Sequence, residues 1–144
     1  MKLVVEGIPM AKQSARFRIA KNKTGKDFIM SYQKKELKDN ETNSRFDIKH
    51  QLPKDFIPYA NIPLQLELTF VYPPLKSWTK AKMKQLENGE VIYKTTKPDN
   101  DNLQKNIADI LNGLVYTDDA LVSISVVKKI YGFTPRTEIV IKTL

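Results

Sequence analysis

Between Pro63 and the Pro73–Pro74 pair, Leu64, Leu66, Leu68 and Phe70 alternate with polar residues. A period of two places those four large side chains on one face of a strand, over residues 64–72. An apolar face of that size must be covered, so the chain needs a sheet backed by a second layer. The pattern that can supply the cover comes later. Leu103, Ile107, Ile110, Leu111 and Leu114 fall at i, i+4, i+7, i+8 and i+11, one stripe of an amphipathic helix. Pro98 disfavours helix at Lys97, so the helix is expected to begin between Asp99 and Asn102. Gly113 suits its C-terminal stop.

The remaining elements are consistent with this frame. Residues 2–7 read as a strand ended by Gly7 and Pro9. Residues 16–20 and 27–31 alternate around KNKTGK and read as a hairpin with a basic loop. A polar stretch from Tyr32 to about Arg45 is expected to be an exposed helix, and residues 49–63, with three prolines, a connecting loop. A short basic helix is expected over 77–88, from near Ser77 or Thr79 to Gly89, with residues 91–95 extended. Residues 121–131 and 136–143 read as a final pair of strands joined through Gly132 and Pro135. With 144 residues and no linker-like tract, the expectation is one domain, 1–144, of the α/β class and α+β type. It is built on a mixed β-sheet flanked by helices.

Composition removes several chemistries. There is no cysteine and a single histidine, His50, so thiol nucleophiles, disulfides, iron–sulfur clusters and multi-histidine zinc sites are excluded within the chain. His50 lies in a polar stretch, DIKHQLPKD, and is expected at the surface. No apolar run approaches the roughly 20 residues of a membrane helix, and the N-terminus lacks a secretory apolar segment. A cytoplasmic protein is expected, with no membrane partner. Any catalysis must use carboxylates, lysines or a cation held by oxygen.

The charge is uneven. The chain carries 24 Lys and Arg against 16 Asp and Glu, yet residues 99–119 hold five aspartates and one lysine. A basic surface suits a polyanion such as nucleic acid. An acidic island within it would repel phosphate unless a cation sat there. Asp99 and Asp101 lie two apart at the mouth of the helix. Asp101, Lys105 and Asp109 lie along a face away from the leucines, and Asp118 and Asp119 follow in a turn before a strand. If that strand runs beside the helix start, three carboxylates can converge, a donor set suited to Mg²⁺. The alternative is structural: Asp99 or Asp101 caps the helix, Lys105 pairs with Asp101 and Asp109, and Asp118 and Asp119 only form a turn.

The segment KPDNDNLQKNIADILNG followed by YTDDA resembles the core motif of the RusA family of Holliday junction resolvases. Order, spacing and residue type agree over about 25 residues: an Asp-x-Asp-Asn-Leu-x-Lys helix start, an Asp-x-Leu-type stretch, then an Asp-Asp pair leading into a strand. The resemblance implies a RusA-like fold and a homodimeric endonuclease that nicks paired strands of a four-way DNA junction using Mg²⁺ or Mn²⁺. It places the family's essential aspartates on Asp99, Asp101 and Asp119 as metal ligands, and its essential lysine on Lys105. Asp118 and Asn102 match supporting positions, and Asp109 an acidic position of open role. The chain departs from the pattern in its longer segment before the motif.

DNA contacts are expected from the basic stretches: Arg16, Arg18, Lys21, Lys23 and Lys26 of the hairpin, and Lys80, Lys82 and Lys84 of the short helix. Lys128 and Lys129 are further candidates, but strand alternation turns at least one away. Phe17, Phe28, Trp78 and Tyr93 could stack on unpaired bases; core or interface packing is the expectation for them. Rival readings are a non-catalytic DNA-binding protein, a metal-dependent nuclease for flap or single-stranded DNA, and a structural domain.

Overall fold

The computed structural model describes residues 1–12, 16–32 and 34–144; the side chains of Arg16, Ser31 and Tyr32 lie outside the description. The element order is β1 (Lys2–Glu6), β2 (Arg16–Lys21), β3 (Asp27–Tyr32), α1 (Lys35–Gln51), β4 (Leu64–Tyr72), α2 (Lys80–Glu87), α3 (Asn100–Leu111), β5 (Val122–Tyr131) and β6 (Arg136–Thr143). A four-stranded sheet runs in the order β1-β6-β4-β5, and β2 with β3 forms a separate hairpin. β6 is antiparallel to both β1 and β4, whereas β5 is parallel to β4, so the sheet is mixed as expected.

β4 is central because its alternation is real. Leu64, Leu66, Leu68 and Phe70 are all 1% exposed or less. They meet Leu103, Ile107, Ile110 and Leu111 of α3, together with Ile48 of α1 and Ile139 and Ile141 of β6, in one core. A parallel partner cannot be reached by a tight turn, so a long crossover must separate β4 from β5. That crossover carries α2, α3 and the acidic segment, which is how the motif comes to lie against the sheet.

β5 and β6 do not pair with one another, although they are consecutive; β4 lies between them. The connection crosses the end of β4, where Gly132 N–H donates to Tyr72 O at 2.9 Å. A Cβ on Gly132 would stand 2.6 Å from the Val71 Cγ1 methyl, so the crossing needs a residue without one.

Two helices differ in length from the sequence pattern. α1 begins at Lys35 and continues to Gln51, through the start of the expected loop. Ile48 is fully buried and anchors those extra turns against the core. Pro53 ends the helix, because the preceding Leu52 must be extended, with φ −76° and ψ 145°. α3 starts as expected but stops at Leu111, one turn before Leu114, and Gly113 follows at φ 72°. α2 has Thr79 as its N-cap, its hydroxyl accepting from Lys82 N–H at 3.2 Å. Residues 92–94 lie along β5 through one bridge, Tyr93 to Ile130, and do not form a strand.

Candidate active site

α3 enters from residues 96–98. Lys129, on β5, reaches across and donates from Nζ to Thr96 O at 2.8 Å and Pro98 O at 2.7 Å. The sheet thus fixes the chain immediately before Asp99. Lys128 is exposed, so the two lysines divide as strand alternation requires. Gln104 Nε2 donates to Ser125 Oγ at 2.9 Å, a second tie between α3 and β5. The helix therefore runs beside the start of β5, and the 3-10 turn Asp119–Leu121 that precedes β5 packs against α3.

Against this frame the acidic residues divide. Asp118 is a cap: its carboxylate accepts from Ala120 N–H at 2.8 Å. Asp109 is an ion-pair partner, with Lys12 Nζ at 2.5 Å from Oδ2. The structural reading holds for these two, though Asp109 pairs with Lys12 and not with Lys105. For the others, capping and ion pairing do not hold among the described residues, although Asp119 does open the 3-10 turn. Asp99 occupies the N-cap position of α3, yet its side chain makes no capping hydrogen bond. Asp99, Asp101 and Asp119 are exposed, and among the described residues none of their carboxylates has a hydrogen-bond or ion-pair partner. Lys105, one turn beyond Asp101, is also exposed and unpaired among the described residues.

Tyr116 precedes the acidic turn of Asp118 and Asp119. It is fully buried and donates from its hydroxyl to Ala108 O at 3.1 Å. Burial pushes its pKa up, and the nearby charges of Asp119 and Asp109 push it further. The acidic turn thus lies beside the C-terminal part of α3, where Tyr116 bonds Ala108. Among the described residues, however, no three carboxylate or imidazole groups converge into a ready-made cation cage. The structure brings together the elements bearing Asp99, Asp101 and Asp119, while the side chains stand apart. The donors still fit Mg²⁺ or Mn²⁺ by chemistry: hard oxygens, unpaired and open to water, in a number that leaves room for waters and phosphate.

Residues 6–142 match the family of endodeoxyribonuclease RusA. The chain belongs to the RusA endodeoxyribonuclease family. It is also similar to the uncharacterized protein YqaN of Bacillus subtilis (strain 168), at 38% identity over 82 residues. That match covers 56% of this chain and 57% of YqaN. In this RusA-family chain, the match extends far beyond the acidic segment, through the hairpin, α1 and the sheet.

The basic residues singled out from the sequence are mostly free of the core. Lys21, Lys23 and Lys26 are exposed around the β2–β3 turn, which Asn22 organises by accepting from Thr24 N–H, Thr24 Oγ1 and Lys26 N–H. Arg18 is exposed on β2, and the Arg16 side chain is outside the described residues. Lys80 and Lys84 are exposed on α2. Lys82 instead lies over the Trp78 ring, 4.4 Å from its centroid. Packing is correct for Trp78, which meets Tyr131 edge-on at 4.7 Å. Phe17, Phe28 and Tyr93 stand 67%, 44% and 64% exposed, so within this chain they are not core. His50 is exposed, as expected.

Sequence reasoning missed Lys12, Arg45, Asn106 and, in its actual role, Lys129. Lys12 N–H donates to Asn102 O at 2.9 Å, and Asn106 Nδ2 donates to Met10 O at 3.0 Å, so the segment after β1 lies along α3. These contacts span about ninety residues of chain, and no local pattern encodes them.

Proposed function

We propose that the protein is a Mg²⁺-dependent endodeoxyribonuclease, with Mn²⁺ as an alternative ion, that resolves four-way DNA junctions by paired symmetric nicks. The observation that carries this reading is the division among the five acids of the crossover. Asp109 and Asp118 are engaged in structure, and Asp99, Asp101 and Asp119, the three matched to the family's essential positions, have no partner among the described residues. Carboxylates left unpaired on a basic protein repel a phosphate backbone, and holding a cation gives them a use.

Asp99, Asp101 and Asp119 would hold the ion, their side chains drawing together around it. Bound there, a divalent cation supplies Lewis acidity, favouring ionisation of the attacking water and offsetting charge on the phosphate. Lys105 places an ammonium one turn from Asp101, where it can meet a phosphate oxygen of the scissile group as charge builds on it. Lys129 keeps the Asp99 end of the helix in position through the Thr96 and Pro98 carbonyls. Affinity for DNA comes from the hairpin and α2 lysines and falls steeply with salt. A homodimer fits the substrate, since paired nicks in a two-fold junction call for two related sites. The cytoplasm is the compartment consistent with that role.

The deciding experiment is gel-resolved cleavage of a synthetic four-way junction beside matched linear duplex, with Mg²⁺ or EDTA, using wild type and Asp101→Asn. Metal-dependent symmetric nicking of the junction alone, lost in the variant while binding persists, supports the reading. The separated carboxylates favour one competitor, a basic DNA-binding protein without catalysis. Binding without cleavage under every divalent ion tried would select it.

A further inference from the structure

A groove of about 620 Å³ opens at the opposite end of α3 from Asp99 and Asp101. Its walls are the last turns of α1, the 52–58 loop, and Gly113 with Leu114. α3 has 12 residues, so the two ends lie about 18 Å apart. The lining combines apolar surface from Phe46, Phe56 and Leu114 with Lys49, Lys54 and His50. Among the described residues no carboxylate lines it; Asp47 and Asp55 belong to the same segments but are not part of the wall. Both lysines are exposed, and among the described residues neither has an ion-pair partner.

The aromatic wall is unusual for a surface. Phe46 is 63% exposed, and the His50 ring tilts against it with centroids 4.1 Å apart. His50 Nδ1 lies 2.8 Å from Phe46 O, so that nitrogen carries the proton and donates it to the carbonyl. Nε2 remains as the ring's free polar atom, an acceptor when the ring is neutral. The side chains are thus an exposed ring, an imidazole held against it, and two unpaired ammonium groups.

We propose that this groove binds an unpaired nucleotide of a DNA strand, its base against Phe46 and His50 and its phosphates at Lys49 and Lys54. The proposal rests on the reading that the protein acts on DNA, and it adds a binding site remote from the carboxylates. Charge complementarity selects the occupant. An aromatic face offers a base a sequence-tolerant stacking platform, and two ammonium groups in a groove wall that includes neither Asp47 nor Asp55 suit a phosphate backbone. A purely apolar ligand would leave both ammonium groups without a role. At a helix length from Asp101, the bound nucleotide flanks the cut and is not itself cleaved, so the groove would grip the strand that leaves the junction.

The test uses an oligothymidylate carrying 5-iododeoxyuridine as the probe. Photo-crosslinked peptides are mapped for wild type, and affinity is measured for wild type, Phe46→Ala and the double variant Lys49→Ala/Lys54→Ala. The substituted side chains are exposed, and circular dichroism checks that the fold is kept. Crosslinks within residues 46–58, an affinity loss of about tenfold for Phe46→Ala, and a salt dependence reduced by about one to two counterions in the double variant support the proposal. Crosslinks that map elsewhere, or unchanged affinity in both variants, overturn it while leaving the nuclease reading intact. A Phe46→Ala protein whose sedimentation changes from dimer to monomer with DNA affinity unchanged also overturns it, since a second copy would then cover the ring. Wild type that binds neither oligothymidylate nor a four-way junction removes the DNA-based reading itself.

Discussion

At its C-terminal end, α3 is held by Arg45, whose Nη1 donates to Ile110 O at 2.7 Å, Asn112 O at 3.1 Å and Asp109 O at 3.4 Å. Tyr116 takes the Ala108 carbonyl one residue earlier. At its N-terminal end, Asp99 and Asp101 carry charge of the sign the helix dipole favours, yet neither carboxylate has a partner among the described residues. Both ends are thus matched to the helix electrostatically, and among the described residues only one is closed by side-chain hydrogen bonds. A buried helix end left open is costly, so Arg45 and Tyr116 are parts of the fold. The other end is solvated, so its carboxylates keep their lone pairs available for a ligand. Along a single helix of 12 residues, the contacts that hold the fold are thus separate from the Asp99 and Asp101 carboxylates proposed to hold the cation.

Substitutions at the two ends should therefore dissociate. The largest effect is expected for Asp101→Asn: junction cleavage should fall by about a thousandfold or more while the thermal midpoint stays within a degree or two. Asp118→Asn is its control, because an amide oxygen can still accept from Ala120 N–H, and cleavage should remain near normal. Single-turnover cleavage and a melting curve on the same preparations check both. Normal cutting by Asp101→Asn would remove this residue from the site and erase the distinction between the two ends.

At the closed end, Arg45→Ala should lower stability by about 2 kcal/mol, read from the urea midpoint, because it exposes carbonyls that a charged donor now satisfies. The fraction that remains folded should cut at an undiminished rate. A large loss of activity in fully folded Arg45→Ala would mean that the C-terminal end of α3 takes part in the chemistry.

Lys129→Met sharpens the contrast from the open side. Methionine preserves an apolar stem but removes the ammonium that holds Thr96 O and Pro98 O. Cleavage should drop by about tenfold, as for residues that orient metal ligands from behind. Affinity for the junction should be unchanged, because the charge is turned inward and does not reach DNA. A variant that lost affinity and kept its rate would identify Lys129 as a DNA contact.

Local sequence pattern specified the two elements that locate the site. β4 was legible because strict alternation between prolines has one structural solution, and α3 because its apolar stripe, Pro98 and Gly113 all agree on its position. α1 was legible as a helix but not in length, since its last turns bury only Ile48, while the neighbouring Phe46 is exposed and gives no apolar stripe. The placement of β5 and β6 on either side of β4 depends on a close approach of Gly132 to Val71, which no window of sequence records. The candidate acids were legible as residues. Their division into engaged and free was not, because it is decided by partners such as Lys12, 97 positions from Asp109.

High pH should disturb the closed end, with a smaller effect than the substitutions. The Tyr116 hydroxyl donates to Ala108 O and the Tyr72 hydroxyl donates to Pro9 O at 3.2 Å, and both need their proton to do so. Burial raises Tyr72 to about 12, and burial with Asp119 and Asp109 nearby raises Tyr116 as well. A tyrosine in the unfolded chain ionises near its ordinary value of about 10. Between those values the unfolded chain has released protons that the fold still holds, so stability is full below pH 10 and declines as pH climbs through about 12. Urea midpoints measured across that window should fall for wild type and fall less steeply for Tyr116→Phe, which starts lower for want of the Ala108 hydrogen bond but has no proton to lose. An equally steep decline in Tyr116→Phe would show that this hydroxyl does not titrate with unfolding, and that the loss of stability at high pH arises elsewhere.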